Sequence, residues 1–78
     1  MDKTEKIKKL KRSIKKIEKS IDDLSWIKID TMGAIETKNF LEIHHYNENA
    51  IAELKRLKYY FEEELKGLQA TDENITSL

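Results

Sequence analysis

The sequence predicts an all-α fold, an antiparallel two-helix hairpin (coiled-coil-like) that dimerises into a four-helix bundle. Apolar residues recur at helical spacing over most of the 78-residue chain, charged residues make up 38% of it, and proline is absent. A chain of this length forms one domain at most, and such small domains usually need disulfides, a metal ion or a partner chain. Cysteine is also absent. We therefore expect a second copy of the chain to complete the fold as a homodimer.

The first helix is predicted over residues 3 to 28. Asp2 is a favourable N-cap, and Glu5 follows it three residues later, as in a capping box. From residue 7 onward the apolar residues are spaced alternately three and four apart, which is typical of a coiled-coil seam. This seam consists of Ile7, Leu10, Ile14, Ile17, Ile21 and Leu24. We expect these residues to pack against the second helix and to form the oligomer seam. The second helix is expected to contribute Ile51, Leu54, Phe61 and Leu65 to the same seam.

The chain is predicted to turn between residues 29 and 37. The seam breaks here, because its next two positions would be Lys28 and Thr31. Gly33 is the best helix stop in the chain, since glycine adopts the left-handed conformation without a Cβ penalty. One long bent helix is the structural alternative, because Gly33 is the only strong break.

The second helix is predicted over residues 38 to 68, so that one hairpin domain covers residues 1–70 and a frayed tail covers residues 71–78. Its apolar steps are mostly fours with occasional threes, which favours a period of 3.6 over a strict heptad. Asn47 lies in this stripe and either fixes the register as a buried polar residue or faces water. The stripe contains Phe40, Ile43, Asn47, Ile51, Leu54, Phe61, Leu65 and Leu68, and Ala50 and Leu57 widen it.

Charge is divided unevenly along a chain that is neutral overall. Residues 1–20 contain nine basic and three acidic groups, a balance of +6, and residues 21–78 contain six basic and twelve acidic groups, a balance of −6. One interpretation pairs the basic half of the first helix with the acidic half of the second, between residues whose numbers add up to 66 to 70. The other interpretation leaves a basic outer face free for nucleic acid or an acidic protein. That face consists of Lys8, Lys9, Lys11, Arg12, Lys15, Lys16 and Lys19.

Aromatic residues outside the predicted stripes are the other candidate binding residues. Trp26 lies off the seam, and Tyr46, Tyr59 and Tyr60 lie partly off the apolar stripe of the second helix. Aromatic residues in such positions are favoured as interface anchors. For Trp26 the preferred interpretation is different: it closes the hairpin core where the loop folds back. Tyr59 and Tyr60 flank Phe61, so at least one of the two must point away from the core.

We expect no catalytic residues, no metal site and no cofactor. Glu42 and His45 have the spacing that di-iron helix bundles use, but His45 would lie about 200° around the helix from the apolar Ile43 and would face solvent. The serines have no nearby base, and Gly33 and Gly67 are isolated, so no phosphate-binding loop is formed.

These features predict a non-enzymatic helical protein-interaction module, a small phage- or mobile-element-type adaptor or inhibitor that binds a larger protein. The phage origin is suggested by the lysine and isoleucine bias alone, which is typical of AT-rich genomes. The alternative is a nucleic-acid-associated protein that uses the basic outer face in a salt-dependent way, since no aromatic residue interrupts the basic tract. We expect a cytoplasmic protein with no membrane partner, because cysteine, a secretory signal and an apolar run of about 20 residues are all missing.

Overall fold

The computed structural model describes residues 1–77, with side chains for residues 1–70. It is an all-helical hairpin in which α1 (Lys3–Asp30) and α2 (Thr37–Ser77) pack side by side in opposite directions. The hairpin forms a rod of 62 × 18 × 15 Å. The predicted hairpin is therefore confirmed, and the single long helix is excluded. The predicted frayed tail, residues 71–78, lies outside the described side chains.

Both ends of α1 follow local rules that the sequence contains. Asp2 precedes the helix in an extended conformation, and its Oδ1 accepts a hydrogen bond of 2.8 Å from the backbone N–H of Glu5. After Asp30, the hydroxyl and the backbone N–H of Thr31 both donate to the carbonyl of Ile27, at 2.7 and 3.0 Å. Gly33 has a φ of +83°, the left-handed conformation that favours glycine. The turn comprises residues 31–36.

The core of the rod is a single seam between the helices. On the α1 side, Ile14 and Ile17 are the most buried of the described residues, at 9% and 8% exposure. The other predicted seam residues, Ile7, Leu10, Ile21 and Leu24, are half-buried. Ile27 is also half-buried and continues the series in place of Lys28.

The α2 side of the core departs from the prediction. Its half-buried residues are spaced alternately three and four apart, so α2 follows a strict heptad and the predicted period of 3.6 is wrong. Phe40, Ile43 and Leu57 are instead 40%, 41% and 44% exposed. We call the half-buried series the α2 seam. It consists of His44, Asn47, Ile51, Leu54, Lys58, Phe61, Leu65 and Leu68.

A half-buried polar contact lies between the two helices. Asn47 Nδ2 donates a hydrogen bond of 3.2 Å to the carbonyl oxygen of Leu24, so the numbers of these neighbours add up to 71. The residue numbers of the Lys58–Glu18 ion pair add up to 76, so both contacts lie above the predicted range of about 66 to 70. Of the two alternatives for Asn47, the structure has the one in which the amide faces the partner helix.

Neither helix has, within the described residues, a stretch long and apolar enough to cross a membrane.

Candidate functional site

The principal candidate surface is a second heptad row on α2. Its members come one residue before successive members of the α2 seam, so they lie together along one flank of the helix. Five of the six are apolar or aromatic, and all six are exposed, with Ile43 at 41%, Leu57 at 44%, Tyr60 at 63% and Tyr46 at 68%. We call this row the second stripe. It consists of Ile43, Tyr46, Ala50, Glu53, Leu57 and Tyr60.

The opposite flank of α2 has a different character. The groove that it forms with α1 is lined largely by charged groups, among them Glu18 and Asp22 of α1 and Lys55 and Glu62 of α2. Charged side chains are compatible with water on that flank. Ile43, at the turn end of the row, lines the recess that Ile27 of α1 also lines. The rest of the row is exposed, and larger exposed apolar surfaces mark interaction sites. From Tyr46 to Tyr60, the second stripe is therefore a largely apolar surface that the hairpin leaves exposed.

The one charged member of the second stripe already has a counter-charge. Glu53 Oε1 accepts a hydrogen bond of 3.1 Å from Arg56 Nη1, one turn further along the same helix. Both side chains are about two-thirds exposed, at 69% and 67%. The ion pair is screened by solvent and contributes little to the stability of the hairpin. It does provide a partner for Glu53 if the stripe becomes covered.

The second candidate surface is the basic outer face of α1. All seven of its predicted residues, including Lys8, Lys11 and Lys15, are exposed. In the described part of the chain, none of the seven forms an ion pair with α2. The interhelical ion pair that the described side chains do form has the reverse polarity, with Lys58 Nζ 3.4 Å from Glu18 Oε2. The predicted pairing with the acidic half of α2 is therefore not formed by these seven residues, which lie on the outward positions of the heptad.

Folding also divides the charge between the two ends of the rod. The half that contains the turn, residues 20–52, carries two basic and six acidic groups, a balance of −4. The open half, residues 1–19 together with 53–77, carries thirteen basic and nine acidic groups, a balance of +4. The rod is therefore polarised along its length, with a negative turn end and a positive open end.

The aromatic candidates lie apart from one another. Trp26 is 52% exposed and does not line the recess at the turn, so the preferred interpretation that it closes the core is wrong. Ile35 and Phe40 line this recess instead, together with Ile27 of α1. Tyr59 and Tyr60 are 55% and 63% exposed, and their rings meet edge to face at 5.3 Å. Of these two, Tyr60 belongs to the second stripe.

The recess at the turn is too small to be a metabolite site. It encloses about 60 Å³, whereas pockets for drug-sized ligands measure about 300 to 1,000 Å³. His44 lines it, with its ring stacked on Phe40 at 6.1 Å and its Nε2 3.8 Å from Glu48 Oε1. The other ring nitrogen, Nδ1, is buried and has no hydrogen-bond partner among the described residues.

His45, which the sequence analysis considered with Glu42 as a metal ligand, has other neighbours in the structure. His45 Nε2 lies 3.1 Å from Asn49 Nδ2, and the ring of His45 contacts Tyr46 edge to face at 5.6 Å. Among the described residues, no group of three or more histidines and carboxylates is placed to hold a metal ion.

Sequence analysis missed the second stripe as a surface of its own. Ile43, Ala50 and Leu57 were assigned to the core or to its margin, and Tyr46 and Tyr60 were treated as single off-stripe aromatic residues. The signal was present, because these residues repeat with heptad spacing one position before the α2 seam. Comparison of the chain with protein family models, with curated proteins and with solved structures finds no match.

Proposed function

We propose that this chain is a non-enzymatic helical protein-interaction module whose main binding surface is the second stripe of α2. The supporting observation is the exposed apolar heptad row on a helix whose other heptad row is already covered by α1. A helix with apolar rows on two flanks is suited to a position between two neighbouring helices. Helical partners are recognised through apolar anchors at intervals of three and four residues, which is the spacing of the second stripe.

The remaining parts of the sequence-based interpretation belong to the same proposal. The module self-associates into a four-helix bundle, acts as an adaptor or inhibitor of a larger protein, and works in a reducing compartment such as the cytoplasm of a bacterial or phage-infected cell. The thin core supports the need for a partner, since Ile14 and Ile17 are the only described residues classed as buried. Small domains with so little core gain stability by assembly.

A site-specific cross-linking experiment tests this proposal. A photoreactive amino acid is placed at Leu57, in the second stripe, or at Tyr59, on the opposite flank, in cells that produce the chain. We expect a discrete cross-linked protein from position 57 and none from position 59, because only the stripe would be covered. The two residues are similarly exposed, at 44% and 55%, so Tyr59 is a matched control. Equal cross-linking from both positions would contradict a specific interface at the stripe.

A second candidate function is supported by the basic outer face of α1. Seven exposed cations that form no ion pair with α2 in the described structure constitute a surface for polyanions. Binding of this kind releases counterions from the phosphate backbone and weakens steeply with salt. We propose that the same chain associates with nucleic acid through this face, without sequence preference.

Charge reversal with a displaced control tests the second candidate. Replacing Lys8, Lys11 and Lys15 by glutamate should abolish binding to a labelled DNA duplex at low salt. The control replaces Lys28, Lys55 and Lys66, which changes the net charge equally but away from the basic face. If the wild-type chain does not bind at low salt, or if both triple variants lose binding equally, the basic face is not a nucleic-acid site.

A further inference from the structure

We infer that the polyanion bound by the basic outer face of α1 is a B-form DNA duplex, with α1 lying in the major groove and its cations contacting the phosphate backbones on both sides. This inference rests on the second candidate function, association with nucleic acid. It names the class of nucleic acid and the geometry of the contact, and it does not involve the second stripe of α2.

The cations of the basic outer face form two rows along α1. Within each row the residues are alternately three and four apart, the spacing that keeps side chains on one side of a helix. The rows are one residue out of step, so they lie about 100° apart around the helix. Both rows are exposed, because α2 covers the seam side of α1. The first row consists of Lys8, Lys11 and Lys15, and the second of Lys9, Arg12, Lys16 and Lys19.

Two rows of cations match the two phosphate backbones that border a groove of a duplex. An α-helix with its side chains is about 10 to 12 Å across, and the major groove of B-DNA is about 12 Å wide and admits a helix. Cations on two sides of the inserted helix would then face phosphates of opposite strands. Double-stranded RNA has a deep and narrow major groove, which excludes this geometry. The two rows therefore favour duplex DNA over duplex RNA.

The composition of the surface argues against a single-stranded partner. Proteins that hold single strands combine cations with aromatic side chains on which the bases stack. Neither row contains an aromatic residue, and Trp26 comes after the carboxylates of Asp22 and Asp23. A single backbone would also contact one row and leave the other row without phosphates.

Both rows end in carboxylates. The next two positions of the first row are Glu18 and Asp22, and the next position of the second row is Asp23. All three are exposed, so they would repel phosphates beyond this point. The surface that attracts phosphates thus covers residues 8–19, about 17 Å at 1.5 Å per residue, which is half of the roughly 34 Å turn of B-DNA. A contact of this length stays within one passage through the groove.

The first test compares three labelled nucleic acids of one base sequence at low salt: a DNA duplex, one of its strands, and the corresponding RNA duplex. The wild-type chain should bind the DNA duplex at least about tenfold more tightly than either of the others, because only this probe offers two backbones around a groove that admits a helix. Equal binding of the RNA duplex would mean that phosphate charge alone is recognised. Equal binding of the single strand would overturn the two-strand contact.

The second test neutralises one row at a time and measures the dependence of DNA duplex binding on salt. Each phosphate contact contributes about 0.9 to the slope of log K against log salt, so each triple variant should reduce the slope by up to about 2.7. Circular dichroism checks that helicity is retained, since glutamine and lysine have similar helix propensities. If one row alone changes the slope, α1 contacts a single backbone. The variants are Lys8→Gln with Lys11→Gln and Lys15→Gln, and Lys9→Gln with Arg12→Gln and Lys16→Gln.

The third test extends the rows. Asp22→Lys with Asp23→Lys replaces the carboxylates that end them and should tighten DNA duplex binding at least about tenfold, with a slope steeper by up to about 1.8. Glu42→Lys with Glu63→Lys makes the same change in net charge at exposed positions of α2 and is the matched control, with an expected change within about threefold. Equal gains from both pairs would show that net charge and not the rows determines binding.

The outcomes separate this inference from the function on which it rests. A wild-type chain that binds none of the three nucleic acids at low salt would overturn both, and would leave an acidic protein as the partner of the basic outer face. Binding of the single strand or the RNA duplex as tightly as the DNA duplex would overturn the groove geometry. Association with nucleic acid would still stand in that case, provided that charge reversal at Lys8, Lys11 and Lys15 abolishes it.

Discussion

Of the two heptad rows of α2, the more polar one is the more buried, and the more apolar one is exposed. The α2 seam contains His44, Asn47 and Lys58, yet it is the row that packs against α1. The second stripe has a single charged residue, Glu53, and lies exposed. Each polar seam residue has a specific neighbour: Asn47 bonds to a backbone carbonyl, Lys58 pairs with Glu18, and His44 stacks on Phe40. Burial within the chain therefore follows the available partner and not the apolar content of a row alone.

The largest contrast between the rows should appear on introducing a charge into each. Ile17→Asp places an unpaired carboxylate at an 8% exposed position of the seam and should destabilise the hairpin by about 4 kcal/mol, enough to unfold it. Leu57→Asp, at 44% exposure, should change the stability of the single hairpin by about 0.5 kcal/mol or less. Urea unfolding followed by circular dichroism, at concentrations where the chain is monomeric, measures both. Equal losses would mean that the rows do not differ in burial.

An intermediate effect should come from making the α2 seam fully apolar at one position. Lys58→Leu replaces an ammonium group whose side chain is 30% exposed and should stabilise the hairpin by about 1.5 kcal/mol. Glu18, at 51% exposure, would remain hydrated after it loses its partner. The urea midpoint should therefore rise. A lower midpoint would show that the Lys58–Glu18 pair contributes more than the apolar contact that replaces it.

The smallest effect should come from the amide in the seam. Asn47→Ala removes the 3.2 Å hydrogen bond to Leu24 and should cost about 1 kcal/mol. Asn49→Ala removes an exposed contact to His45 within the same helix and is the matched control, with an expected change below about 0.5 kcal/mol. Thermal unfolding of the two variants makes the comparison. If the thermal transition of Asn47→Ala is unchanged, the amide does not contribute to fixing the register of the two helices.

Helix α1 and the turn were predictable because their signals are local. Asp2 caps the helix through a bond to Glu5 that the spacing of the two residues indicates, and Gly33 has the positive φ that only glycine adopts readily. The seam of α1 has one apolar row surrounded by charge, so its phase has a single solution. The basic outer face was also located correctly as an exposed surface.

The phase of α2 was not predictable in the same way, because the helix carries two rows one residue apart. Leu57 is more apolar than Lys58, and Ile43 more than His44, so hydrophobicity favoured the wrong member of each pair. Only the position of α1 decides between the rows, and that is a property of the whole hairpin. The register depends on the same tertiary arrangement, and so does the finding that no α2 side chain described up to residue 70 pairs with the basic outer face.

The separation of charge along the rod also bears on how the molecule moves before it touches anything. A chain with zero formal net charge is expected to have no preferred orientation when it approaches other macromolecules. A rod with opposite ends, 62 Å long, experiences a torque in the field of any strongly charged neighbour. Near a polyanion the rod orients its positive open end toward the polyanion. Near a polycation it orients its negative turn end toward the polycation. An electrically neutral protein thus arrives already oriented, and salt that shortens the reach of the field would remove this orientation before it affects the fold.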